Sequence, residues 1–86
     1  MASDWLSPAF CQGFRCGHLE GRREALPKSH DYIHGLSIEA AENQTLLRYL
    51  DRQEWASGYR YGFETASRGK PVPRAIAEAP LPTEGE

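Results

Sequence analysis

The stretches GFRCGHLEG (residues 13–21) and GYRYGFETA (residues 58–66) both place a small residue at every fourth position. Their five glycines would oppose helix formation by roughly 4–5 kcal/mol, because each glycine inside a helix costs about 1 kcal/mol relative to alanine. Small residues at this spacing share one helix face and let two helix backbones approach closely. We therefore expect a helix–helix contact through Gly13, Gly17, Gly21, Trp55, Gly58 and Gly62.

Capping signals set the limits of the first expected helix. Ser7 is followed by Pro8, and proline suits the first helical position because its missing N–H has no intrahelical partner there. Pro27 ends the pattern, so the first helix is predicted from Pro8 to Leu26. Arg15, His18 and Arg22 fall on one side of its apolar face and form a small basic edge.

A second helix is predicted after the polar connector PKSHDYIHGL (residues 27–36). Ser37 is the expected cap, and the helix runs from Ile38 to about Ser67, where Gly69 and Pro71 give a stop signal. The predicted fold class is an all-α, antiparallel two-helix hairpin that occupies residues 1–70.

Length and composition indicate one small domain. A single core in 86 residues supplies only about 3–5 kcal/mol of stability. No apolar run is long enough for a membrane span, and MASDWLSPAF (residues 1–10) lacks the features of a signal peptide. These patterns predict a cytoplasmic protein without a membrane partner, whose two cysteines remain reduced.

Charge is unevenly distributed along the chain. Residues 1–70 are neutral, with nine basic and nine acidic side chains, whereas PVPRAIAEAPLPTEGE (residues 71–86) carries one arginine and three glutamates. This segment has four prolines and no aromatic residue, which predicts a disordered tail. The alternative is a short extended segment that docks on a partner.

The second predicted helix carries apolar residues on two opposite sides. One side is used by the expected contact through Trp55, Gly58 and Gly62. The other side needs a partner of its own, unless a kink near Gln53 turns both apolar sides toward the same neighbour. This second apolar surface consists of Leu46, Tyr49, Leu50 and Tyr61.

Metal binding and catalysis are both disfavoured by sequence context. Cys11, Cys16, His30 and His34 have the spacing C-x4-C-x13-H-x3-H, close to that of zinc fingers. Finger histidines lie on a helix, however, and Pro27 and Gly35 flank this pair. A nucleophilic cysteine would also need an orienting group and an oxyanion site in a pocket. We expect neither metal nor cofactor, and no enzymatic activity.

The motifs AFCQGFRCGHLEGR (residues 9–22) and WASGYRYG (residues 55–62) resemble those of the bacterial ribosome modulation factor family. That family has a helical A-x3-G-aromatic-x2-G element, a proline-containing turn and a W-x2-G-aromatic-R element. The resemblance implies a short two-helix protein that binds the small ribosomal subunit near the messenger-RNA exit and promotes inactive ribosome dimers.

Two functional classes follow from these observations. In the first, the chain is a ribosome-associated regulator of translation whose arginines contact ribosomal RNA or another partner: Arg15, Arg22, Arg23, Arg60 and Arg68. In the second, it is a small protein-binding regulator or accessory subunit, such as a phage-borne one, that uses the second apolar surface to bind a larger protein or its own copy.

Overall fold

The computed structural model describes residues 7–24, 28–45 and 48–79, and within these ranges all regular structure is helical. The elements are α1 (Pro8–Arg23), α2 (His30–Glu42), α3 (Tyr49–Ser67) and α4 (Arg74–Ala77). The prediction of an all-α fold is confirmed. The two-helix hairpin is wrong, because the second predicted helix is interrupted and two further helices are present.

Helix α1 begins where its capping signals place it. Ser7 has an extended backbone, and its side chain accepts a hydrogen bond of 3.1 Å from the Phe10 amide. Pro8 occupies the start of the helix. The helix ends at Arg23 rather than Leu26, and residues 25–27 lie outside the described ranges.

Helix α2 starts one turn after Pro27, inside the predicted connector. Its cap is Ser29, whose side chain accepts a hydrogen bond of 3.1 Å from the Tyr32 amide. Ser37, the predicted cap, lies in the middle of the helix and is fully buried. Its hydroxyl donates to the His34 carbonyl at 2.6 Å, so helix formation leaves the group satisfied.

Helix α3 is a separate element from α2. Helix α2 ends at Glu42, residues 43–45 and 48 are not helical, and α3 begins at Tyr49, so the predicted helix from Ile38 to Ser67 is wrong at its N-terminal end. The predicted stop is confirmed: Gly69 has a φ of +75°, the left-handed conformation that glycine adopts at helix ends.

Helices α1 and α3 run parallel, not antiparallel as predicted. The glycines of α1 face successively later residues of α3: Gly13 lies against Trp55, Gly17 against Tyr59 and Gly21 against Phe63. Helix α2 runs in the opposite direction to α3, since His30 lies beside Glu64 and Ser37 beside Arg60. The chain therefore uses α2 as a return helix, and the parallel pair follows from that path.

The core has two parts. The larger cluster lies between α1, α2 and α3 and is built around Trp55 and Phe63, which are 1% and 0% exposed. The smaller cluster lies on the outer side of α1 and consists of Cys11, Phe14 and Ile76, with Phe10 and Val72 packed against it. Ile76 thus connects the C-terminal segment to the folded domain.

Residues 70–79, which we call the strap, pack along α1. Ile76 is 6% exposed, and the Arg15 guanidinium binds backbone carbonyls of this segment. The predicted boundary at residue 70 is therefore wrong for residues 71–79, because one apolar side chain and several carbonyl groups find partners on α1. Residues 80–86, the rest of the predicted tail, lie outside the described ranges.

Candidate interaction surfaces

Glycines bring the backbones of α1 and α3 into direct contact. A Cβ added to Gly13 or Gly17 would overlap the backbone carbonyl of Trp55 or Tyr59. In the other direction, a Cβ on Gly58 would lie 2.9 Å from the Phe14 nitrogen, and one on Gly62 would lie 2.9 Å from the His18 nitrogen. Only glycine fits at these four positions without separating the helices.

Two members of the basic edge of α1, Arg15 and His18, contact the strap, whereas the third, Arg22, is exposed. Arg15 Nη1 donates to the carbonyls of Ile76 at 2.7 Å, Ala79 at 3.1 Å and Ala77 at 3.2 Å. Farther along α1, His18 Nε2 donates to the Lys70 carbonyl at 2.7 Å. Arg15 was expected to contact RNA or a partner; here its Nη1 atom donates to the strap, and its Nη2 atom donates to Gln12 Oε1 at 3.1 Å.

Arg60 is likewise engaged inside the molecule. Its guanidinium donates to the hydroxyl of Ser37 on α2 and to that of Ser57 on α3, both at 3.2 Å. The bond to Ser37 ties α2 to α3, the bond to Ser57 lies within α3, and the side chain is half-buried. Arg60 thus has a structural role, and its expected role as a partner contact stays a prediction.

The remaining arginines of the predicted set gather at one end of the molecule. Arg22 and Arg23 are exposed in the last turn of α1, and the exposed Arg68 follows the last residue of α3. Because the two helices are parallel, their C-terminal ends coincide. Arg23 pairs with Glu20 at 3.7 Å, whereas the ion pairs seen in the described ranges do not include Arg22 or Arg68.

The second apolar surface lies on the solvent side of α3. Leu50 is 66% exposed and Tyr61 is 59% exposed, and the ring of Tyr61 contacts that of Phe10 with centroids 5.9 Å apart. Between them is an open depression lined by Phe10, Leu50, Gln53, Glu54 and Ser57. Tyr49 is also exposed, but its hydroxyl accepts a hydrogen bond from Gln53, and Leu46 lies outside the described residues.

The cysteines and histidines of the zinc-like spacing occupy different helices. Both histidines lie on α2, so the expectation that they belong to a loop is wrong, and His30 pairs with Glu64 at 3.3 Å. Cys11 is buried under the strap, and Cys16 packs against the larger core cluster. In the ranges that the structure describes, no three metal-binding side chains are grouped closely enough to hold an ion.

The thiols have the properties of buried cysteines. Burial raises the pKa of the Cys11 thiol above its usual range, and the Arg15 charge offsets only part of that increase. Burial also raises the pKa of Cys16, with smaller opposing contributions from Arg15 and from a hydrogen bond with Gln12. Both groups are therefore protonated and weakly nucleophilic at neutral pH.

Sequence reasoning missed the strap as part of the fold. Two signals pointed to it: Ile76 is the one β-branched aliphatic residue other than Val72 in the C-terminal segment, and Arg15 had no acidic neighbour at helical spacing on α1. Neither signal identifies the partner, because the contacts join residues more than sixty positions apart.

No protein-family model, curated protein or solved structure matches the chain. None of the helices in the described part of the chain is both long and apolar enough to cross a lipid bilayer.

Proposed function

We propose that this chain is a non-enzymatic, ribosome-associated regulator of translation. The observation that carries the proposal is the meeting of its two motif segments at one interface. Gly13 of AFCQGFRCG lies against Trp55 of WASGYR, and Gly58 of the second motif lies against Phe10 and Phe14 of the first. The residues that carry the resemblance to ribosome modulation factor thus act as one packing unit, which supports a shared helical core.

The RNA contact in this proposal is the arginine end formed by Arg22, Arg23 and Arg68. Each side chain is exposed, and all three project from the end where α1 and α3 finish. Guanidinium groups neutralise phosphates and release counterions, which makes such binding sensitive to salt. Three phosphates give only modest affinity, so the remaining contacts would come from ribosomal protein or from further basic groups.

We also propose that the chain has no catalytic activity, because its cysteine thiols are not activated. The two thiols are protonated at neutral pH, because burial raises their pKa. The depressions at the surface are open, and the one beside α2 is lined by Lys28, His30, Ile33, Glu64, Ser67 and Arg68. The hydroxyl in this depression, that of Ser67, donates to the Phe63 carbonyl at 3.1 Å.

Co-sedimentation with purified ribosomes tests the proposal. The logarithm of the binding constant falls with the logarithm of the salt concentration, with a slope of roughly 0.7 per phosphate engaged. If three phosphates are engaged, binding should therefore weaken by about 20-fold when monovalent salt rises fourfold. The double variant Arg22→Gln/Arg68→Gln should reduce that slope by about 1.4.

The matched control is Arg48→Gln/Arg74→Gln, which removes the same charge from exposed positions away from the arginine end. It should leave the salt slope unchanged. A full chain that fails to co-sediment with ribosomes at low salt would contradict the proposal.

The second candidate function is that of a protein-binding regulator, and the exposure of Leu50 and Tyr61 beside Phe10 favours it. Here a larger protein would bury the second apolar surface, and Leu50→Asp would abolish that binding because an unpaired carboxylate is costly to bury. Leu19→Asp is the control, since Leu19 is 51% exposed on α1. Binding that is insensitive to salt and lost only in Leu50→Asp would favour this function over the ribosomal one.

A further inference from the structure

We infer that the strap masks an RNA-binding edge of α1, so that the chain binds RNA phosphate more weakly with the strap docked than with the strap released. This inference rests on the proposed function and deepens it, because it assigns a regulated phosphate contact to Arg15. It concerns the smaller core cluster together with Arg15 and His18 of the basic edge, neither of which belongs to the arginine end.

The first argument is that the strap presents carbonyl oxygens to the donors of the basic edge. Arg15 binds three of these carbonyls, and His18 binds a fourth, that of Lys70. Two of the carbonyls that reach Arg15, those of Ile76 and Ala77, belong to the end of α4, where helix carbonyls carry partial negative charge, and the third, that of Ala79, follows the helix. They occupy a guanidinium that would otherwise suit the oxygens of a phosphate.

The second argument concerns charge. The ion pairs found in the described ranges do not include Arg15, so its positive charge meets only carbonyl dipoles and the Gln12 side-chain oxygen. A phosphate carries a full negative charge and binds a guanidinium more strongly than neutral acceptors do.

The third argument is that the strap can leave without unfolding the domain. Its helix has only four residues, too short to be stable by itself. Its principal buried side chain is Ile76, which packs in the smaller cluster with Cys11 and Phe14. The larger cluster around Trp55 and Phe63 does not include any strap residue.

Ile76→Ser is the variant that tests this inference, because it removes the anchor and leaves net charge unchanged. Strap release is measured separately, as the alkylation rate of Cys11 in a Cys16→Ala background. Cys11 is 1% exposed beneath Ile76, so the rate should rise when the strap detaches. Ile38→Ser, at a 43% exposed position on α2, is the matched control and should leave both alkylation and RNA binding unchanged.

RNA binding is then measured by fluorescence anisotropy with a labelled single-stranded oligouridylate. Ile76→Ser should bind about tenfold more tightly than the parent chain, as expected for one added charge-assisted contact. The slope of the logarithm of its binding constant against the logarithm of the salt concentration should be steeper by about 0.7, for the one additional phosphate. Adding Arg15→Met should abolish both gains, whereas Arg15→Met in the parent chain should change little.

A chain ending at residue 70 provides the second variant, because it lacks the strap helix and its anchor altogether. Failure of both variants to gain RNA affinity would overturn the inference, and so would a gain that survives Arg15→Met. If ribosome binding depends on Arg22 and Arg68 but is unaffected by Ile76→Ser, the inference that the strap masks Arg15 would be overturned and the proposed function would stand. Absence of ribosome and RNA binding in every variant would overturn the proposed function together with it.

Discussion

Replacing Gly17 by alanine should weaken the domain, although alanine is the better helix former. The added Cβ would lie 2.7 Å from the carbonyl carbon of Tyr59 and 2.8 Å from its Cα. Carbon atoms in good contact are about 3.5–4.0 Å apart, so one helix must move by a large part of an ångström. The obstructing atoms belong to the α3 backbone, which cannot rotate away as a flexible side chain can.

Two opposing contributions set the size of this effect. Alanine gains about 1 kcal/mol of helix propensity over glycine. Overpacking in a well-filled core costs up to about 3 kcal/mol, and a clash with helix backbone belongs at the upper end of that range. We expect a net loss of about 2 kcal/mol for Gly17→Ala, with a larger loss for Gly17→Leu. A loss of about 2 kcal/mol lowers Tm by roughly 8–16 °C in a domain of this size.

Gly35→Ala is the matched control for this prediction. Gly35 also lies inside a helix, but a Cβ there would meet no atom within 4 Å. Only the propensity gain remains, so stability should rise by about 1 kcal/mol and Tm by roughly 4–8 °C. Thermal unfolding followed by circular dichroism at the helical band compares the two variants. If Gly17→Ala were as stable as Gly35→Ala, close packing of α1 against α3 would be refuted.

Three further predictions concern pH, the end of α3 and metal. Burial, with a smaller contribution from Glu20, raises the pKa of Tyr59 to about 12, above the ordinary value of about 10. The unfolded chain ionises first, so Tyr59 should cost stability as pH rises from about 10 to 12, and Tyr59→Phe should flatten a plot of Tm against pH in this window. Gly69→Ala should lower the free energy of unfolding, measured by urea titration, by about 1 kcal/mol, because an alanine is strained at the positive φ of this position. An unchanged urea midpoint would contradict that strain. Purified protein should contain no stoichiometric zinc by elemental analysis, and a chelator should leave Tm unchanged; one zinc per chain, lost together with helicity, would instead favour a zinc-stabilised binding module.

Signals that are local in sequence predicted much of the secondary structure. The start of α1 depends on Ser7 and Pro8, and the end of α3 depends on Gly69, because caps and stops act over a few residues. The same reasoning failed between residues 28 and 48, where it placed the helix cap at Ser37 and the structure has it at Ser29. Burial of Ile33 and Ala41 on one face of α2 decides between them, and burial is a property of the whole fold.

The candidate surfaces were predicted less completely than the helices. Exposure of Leu50 and Tyr61 is expected for a helix with two apolar sides, only one of which packs in the larger core cluster. The hydrogen bonds that Arg15 makes to the strap and that Arg60 makes to Ser37 could not be predicted in this way, because these partners are far away in sequence. An arginine on a helix surface has the same local signature whether it faces solvent, a phosphate or a carbonyl of its own chain.

The sequence by itself determined that this chain forms glycine-containing helices and where two of their ends lie, since propensity and capping depend on neighbouring residues. The tertiary structure decided that α1 and α3 run parallel, because that direction depends on the path of the chain through α2. It also decided that the strap lies on α1. That contact needs the Ile76 side chain and the α4 carbonyls to meet Cys11, Phe14 and Arg15 at once, and only the folded chain brings these groups within reach.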